Sequence, residues 1–276
     1  MPLNSESETH SRLAVLDGWR GISILLVMAC HLLPLGPKSL RLNETAGPMG
    51  MALFFALSGF LITRFLLTHS SILDFLIRRI ARIVPLAWVG MVIGFWIDAA
   101  PFRDYLPNFL FFANLPPQHL TESGSHFWSL CVEMQFYVAI ALVVKLAGRR
   151  GLYVIPLVCL AITGHRVLSA TPVDIVSWRR VDEILSGATL GLIYDGKFGP
   201  APILALQRLN AYLLLGLLAL CSHPGFEVMN YLRPYVAATL VGVTLFRAPP
   251  ALGRLLRSRW LAYLAEISFA LYVSTE

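Results

Sequence analysis

The chain has 276 residues, of which 57% are apolar and only 14% charged, and its 22 Lys and Arg against 16 Asp and Glu give a net charge of +6. Soluble domains average about half apolar and about a quarter charged residues. This balance, with a mean hydropathy of +0.67, excludes an ordinary soluble globule, a disordered chain, collagen, a coiled coil and a secreted disulfide scaffold. The basic excess fits membrane topology, because Lys and Arg are retained on the cytoplasmic side of inserted helices; nucleic acid is not an expected partner.

The first twelve residues, MPLNSESETHSR, are polar and carry two glutamates. They lack the basic start, short apolar stretch and small-residue cleavage site of a signal peptide. Residues 1–12 are expected to form a short cytoplasmic tail, and residues 13–276 a single membrane-embedded domain. A span needs roughly twenty apolar residues to cross about 30 Å of hydrocarbon. Stretches near 15–35, 48–67, 83–100, 128–147, 151–168, 181–195, 209–222, 230–246 and 260–273 approach that length. A tenth, YLPNFLFFANL from Tyr105 to Leu115, is too short for a plain crossing and reads as re-entrant or tilted. The expected fold is therefore all-α, a polytopic transmembrane helical bundle of about nine to ten membrane segments.

An inside amino terminus, with the tenth stretch not crossing, puts Arg64, Arg78, Arg79, Arg82, Lys145, Arg149, Arg150, Lys197, Arg208 and the run from Arg247 to Arg259 on the cytoplasmic side. Lys38, Arg41, Arg103, Arg166, Arg179, Arg180 and Arg233 then face outward. The spacings Gly90 to Gly94 and Gly187 to Gly191 allow close helix approach. Cys30, Cys131, Cys159 and Cys221 lie in or beside apolar segments with no Cys-x-x-Cys spacing. They read as reduced packing residues, and no metal site is expected.

Several charged groups stand where lipid is expected. In LDGWRGISILLVMACHLLPLG, Arg20 and His31 are eleven residues apart. Helical geometry puts them about 20° apart in azimuth and about 16 Å apart along the axis, on one face. An intramembrane ionisable residue is costly and points to function; a snorkelling arginine and a histidine bonded to a neighbouring helix are the plain alternative. Asp17 reads as a helix-start residue that also pairs with an arginine. In DFLIRRIARIVPLAW, Arg79 and Arg82 are adjacent on a helix face near the membrane boundary. Paired guanidiniums suit a phosphorylated ligand, although positive-inside retention alone also places arginines there. Within SHFWSLCVEMQFYVAIAL, Glu133 and Gln135 lie in an aromatic-rich apolar run, where a buried carboxylate must find a cation, a donor or a proton. His126 and Trp128 read as interfacial anchors, and Asp182 and Glu183 as a salt-bridged helix start.

LDGWRG with a later histidine, LFFALSGFLITR, FLIRRIARIVP and HFWSLCVEMQFY, in this order, resemble the membrane-bound acyltransferase family 3, which acylates bacterial polysaccharides, O-antigens and related glycans. The likeness extends through RRVDEILSGATLGLI to LAYLAEISFALYV. The resemblance implies an integral protein of the bacterial inner membrane and an acyl-CoA donor, usually acetyl-CoA, held from the cytoplasmic side without a metal. It implies a glycan acceptor and partners in polysaccharide biosynthesis. It also implies that His31 is the catalytic histidine and that Arg20, Arg79 and Arg82 serve the donor. Glu133, after Trp128, Ser129 and Leu130, is expected to orient His31 or hold the acceptor.

Two departures are visible. Glu133-Met134-Gln135-Phe136-Tyr137 stands where the family commonly has Glu-Glu-Gln-Phe-Tyr. Where the family commonly continues into Trp-His and another apolar stretch, this chain reads LYVSTE to Glu276, so a truncated carboxyl terminus is expected. A transporter or flippase for a lipid-linked glycan, with the same charges lining a path, is the rival from another class. A non-catalytic assembly or sensor subunit is the third reading.

Overall fold

The computed structural model describes residues 3–69 and 71–274, with side chains described from Ala14 onward; residues 1–2, Ser70, Thr275 and Glu276 lie outside it. The described residues form helices and connections, with no strand. The helices are α1 (Leu3–Leu32), α2 (Leu42–Thr68), α3 (Ile72–Ile97), α4 (Tyr105–Phe109), α5 (Trp128–Ala147), α6 (Ile155–Leu168) and α7 (Ser177–Arg180). They continue as α8 (Asp182–Tyr194), α9 (Ala201–Arg208), α10 (Ala211–Ser222), α11 (Arg233–Arg247), α12 (Pro250–Leu256) and α13 (Arg259–Val273).

Their starts follow local chemistry. The Ser71 hydroxyl accepts from the Asp74 amide at the head of α3, and the Asn210 side chain accepts from the Tyr212 and Leu213 amides at the head of α10. Ser258 does the same for the Leu261 amide of α13. α1 is already helical from Leu3, so Asp17 sits in mid-helix, which corrects its reading as a helix-start residue.

Five helical stretches are long and apolar enough to cross a membrane: 14–32, 42–68, 72–97, 125–147 and 149–168. The number rises to seven if each of two bent pairs is one span: α9 with α10, bent by 88°, and 224–247 with α12, bent by 101°. The larger number in the sequence reading counts α8 and α13 as spans, yet these helices have 13 and 15 residues. α4 has five residues, or about 7.5 Å of rise, and does not cross.

Burial separates inner from outer helices. The exposed side chains of α3 include Leu73, Ile77, Val89, Val92, Ile93 and Trp96, and those of α6 include Leu157, Leu160 and Leu168. An apolar surface so extensive belongs in lipid, and the chain reads as an integral membrane protein. α2 is central, packed on α1, α8, α10 and α11, and α8 is nearly all buried between α2, α6 and α11.

Lipid tails are as apolar as leucine, so helices associate in a membrane largely by close packing. α2 and α8 meet through Gly59 and Gly187, where added Cβ atoms would stand 1.9 Å from the Ile184 and Ala56 carbonyl oxygens respectively. The Gly187 to Gly191 spacing thus marks a backbone crossing. Gly90 to Gly94 does not: Gly90 meets the Val273 and Phe127 side chains, and the nearest atom to a Cβ at Gly94 is 3.8 Å away.

Candidate functional site

A cavity runs between α1, α2, α3, α5 and α13. α1 turns Arg20, Ser23, Ile24 and Val27 towards it, the 3–4 spacing that one helical face produces. α3 contributes Arg79 and Arg82 from one face, α2 contributes Ser58, and α5 contributes Glu133 and Tyr137, one turn apart. Four of the five residues selected from the sequence, Arg20, Arg79, Arg82 and Glu133, therefore line one cavity. α13 closes the far side with Tyr272, whose hydroxyl donates to the His126 carbonyl and ties this helix to the start of α5.

Glu133 is 4% exposed. Its Oε1 accepts from both the Ser58 and Tyr137 hydroxyls, and no ion pair reaches the carboxylate from the described residues. Two donors on one oxygen fix the carboxylate plane and leave the other oxygen for a ligand. Tyr137 in turn packs its ring beneath Arg79, whose guanidinium carbon is 5.9 Å from the ring centroid. Ser58 and Tyr137 were not singled out in the sequence. The signal for Tyr137 was present in its i, i+4 relation to Glu133; that for Ser58 was not, because it comes from another helix.

Among the described residues, the guanidiniums of Arg20, Arg79 and Arg82 make no ion pair and no hydrogen bond. Arg20 and Arg79 are partly buried and Arg82 is exposed; three cations gathered around one opening attract an anion. At about 70 Å³ the cavity is narrow, whereas past Arg20 and Arg82 it adjoins an open basin of about 550 Å³.

His31 does not line the cavity. It lies in the last turn of α1, exposed, one turn beyond Val27 on the same helical face. No hydrogen bond joins it to Glu133, so Glu133 does not orient His31 in this structure. The reason is axial: the rise that aligns Arg20 with His31 also separates them by about 16 Å.

Other groups serve the scaffold. Gln135 donates to the Phe111 carbonyl at 2.8 Å and to Asn114 Oδ1 at 3.0 Å, anchoring the 105–124 connection. Trp128, partly buried, packs on Phe55 and under Arg180, and His126 is buried, both at the start of the 125–147 stretch. Asp182 and Glu183 do open a salt-bridged helix. Arg166 donates to Asp182; Arg233 lies 2.8 Å and Arg180 3.4 Å from Glu183. All four cysteines are free thiols. Outside the lipid, Asp98 accepts from the Ser123 hydroxyl at 2.7 Å and amide at 2.9 Å. The Ser123 hydroxyl, aided by the amide, holds this carboxyl below the usual range despite some desolvation.

The described residues thus form a helical membrane bundle with an arginine-lined slot and a tethered carboxylate, the architecture of an intramembrane protein with an internal cavity. Within that class the chain belongs to acyltransferase family 3: residues 13–274 match its acyltransferase domain. It is 30% identical over 161 residues to the putative peptidoglycan O-acetyltransferase YrhL of Bacillus subtilis, covering 48% of this chain and 24% of that protein. It is also 30% identical over 147 residues to the peptidoglycan O-acetyltransferase OatA of Listeria monocytogenes, covering 45% and 22% respectively. The matched part thus spans about a quarter of these relatives. No solved structure matches it.

Proposed function

We propose that the protein is an integral-membrane O-acyltransferase that moves an acyl group, acetyl in the first instance, from acyl-CoA to a hydroxyl of an exopolysaccharide, O-antigen or related bacterial glycan. Its place is the inner membrane, with the amino terminus and the Arg79/Arg82 end of the cavity facing the cytoplasm. Residues 13–276 act as one domain behind a short tail, with the shorter apolar helices filling out a bundle of nine to ten membrane segments. Peptidoglycan, the substrate class in the names of both relatives, is an acceptor of the same chemistry.

The observation that carries the reading is the set of three guanidiniums without carboxylate partners around one cavity. Guanidinium is planar, permanently charged and bidentate towards phosphate oxygens. The difference in volume supports an orientation of the donor in which the wide basin takes the phosphorylated end and the narrow slot takes the slender thioester arm along the α1 face towards His31. The His31 imidazole accepts the acceptor's hydroxyl proton as the oxygen attacks the thioester carbonyl. The carbon–sulfur bond then breaks, and the imidazolium returns its proton to the departing thiolate. An acyl-histidine intermediate is the alternative route where donor and acceptor approach from opposite faces. Glu133, steadied by Ser58 and Tyr137, holds a polar group of the bound substrate, and Arg20 stabilises negative charge on the donor or the developing oxyanion.

The test is equilibrium binding of coenzyme A to the purified protein. The wild type is expected to bind, and Arg79→Ala with Arg82→Ala to lose about a hundredfold in affinity, two charge-assisted contacts at about tenfold each, with thermal stability retained. Equal affinity in the double variant would overturn the donor site.

A further inference from the structure

The basin beside the cavity is walled by α1, α3 and α13. It shares Arg20 and Arg82 with the cavity and adds Asp17 from α1 and Arg259, Tyr263 and Glu266 from α13. The last three are spaced i, i+4, i+7, so the first two turns of α13 present one continuous stripe. Arg259, like Arg20 and Arg82, makes no ion pair or hydrogen bond among the described residues. Its side chain and that of Tyr263, which is 56% exposed, stand at the mouth. Gly21 brings α1 against the backbone of α13: a Cβ there would lie 2.5 Å from the Leu261 carbonyl oxygen. The stripe is thereby held opposite Asp17 and Arg20.

We propose that Arg259 and Tyr263 complete a recognition site for the adenine nucleotide end of the donor and determine its specificity for a nucleotide-bearing thioester; this rests on the acyl-CoA reading above. A plain phosphate needs only cations. The basin combines three guanidiniums for phosphate oxygens with an aromatic ring for a planar base and two carboxylates, Asp17 and Glu266. These carboxylates accept from ribose hydroxyls and an exocyclic amine, as acidic residues do in dinucleotide sites. Its volume of about 550 Å³ lies within the ~300–1,000 Å³ of small-molecule sites. Aromatic and carboxylate walls are poorly suited to the same phosphate on a lipid headgroup, where negative charge and acyl tails dominate.

The experiment measures binding of coenzyme A, of adenosine 3′,5′-bisphosphate and of vesicles rich in phosphatidylglycerol to the full chain. Arg259→Ala and Tyr263→Ala are each expected to weaken both nucleotides about tenfold, Tyr263→Phe to retain affinity, and Arg254→Ala, outside the basin, to match the wild type. For turnover, the variants' loss in kcat/KM with acetyl-CoA is expected to exceed their loss with acetyl-pantetheine, which lacks the nucleotide. Coenzyme A binding unchanged in both alanine variants would overturn the inference while leaving the donor reading intact. So would a loss confined to the anionic vesicles, which would make the basin a lipid site. No coenzyme A binding by the wild type would instead remove the donor reading on which the inference rests.

Discussion

Two groups of arginines in the protein are arranged in opposite ways, one buried and one lining a cavity that opens to the surface. Around the head of α8, Arg166, Arg180 and Arg233 are fully buried and meet Asp182 and Glu183, so three guanidiniums face two carboxylates. Around the cavity, Arg20, Arg79 and Arg82 make no ion pair among the described residues: Glu133 spends its Oε1 on Ser58 and Tyr137, and Asp17 and Glu266 line the adjoining basin without pairing with them. The first group is ion-paired within itself, although Arg180, Arg233, Asp182 and Glu183 each keep a buried polar atom without a hydrogen bond. The second keeps its charge available beside space. Charge in a membrane is costly, but only the second group is open to an arriving anion, and so only the second reads as a site.

The largest expected effect lies in the ion-paired group. Glu183→Ala would leave Arg180 and Arg233 buried without their carboxylate, a loss of about 3–5 kcal/mol, read as a large fall in melting temperature and yield in detergent. Melting unchanged by this replacement would mean that the two groups do not differ as described. Next comes an attempt to convert the open group into an ion-paired one. Ser23 is buried on the cavity face one turn from Arg20. Ser23→Asp supplies a carboxylate at i, i+3 and is expected to weaken coenzyme A binding about tenfold, the scale of one charged contact, with the fold retained by circular dichroism. Ser23→Ala is expected to bind like the wild type, which separates charge from shape.

The smallest effect concerns a carboxylate outside both groups. The carboxyl of Asp98 titrates below its ordinary range because of Ser123, so its contribution is present above the unfolded pKa and fades as pH falls through the folded one. Asp98→Asn is expected to cost about 1 kcal/mol or less near neutrality, with the gap to wild type closing under acid conditions in melting curves. A gap that widens in acid would contradict the assignment.

How far the sequence could be read follows from the range of each interaction. The long apolar stretches, the helical face shared by Arg20 and His31, and the Arg79/Arg82 pair depend on local periodicity, and they were legible. The ion-paired arginine group was only half legible: the Asp182/Glu183 helix start was visible, but Arg166 and Arg233 arrive from α6 and α11. The same limit hid Ser58, whose bond to Glu133 spans 75 positions, and the α13 stripe that Gly21 brings to the basin. His31 teaches a further point: angular alignment with Arg20 was derived correctly, while axial rise carried the ring past Val27 and out of the described cavity wall.

The most direct test of the account is acyl transfer from labelled acetyl-CoA to envelope glycan by the wild type and by His31→Ala, with coenzyme A affinity measured in parallel. The account predicts ester formation by the wild type, no transfer by the variant, and the same affinity in both. Transfer by His31→Ala at the wild-type rate would contradict it.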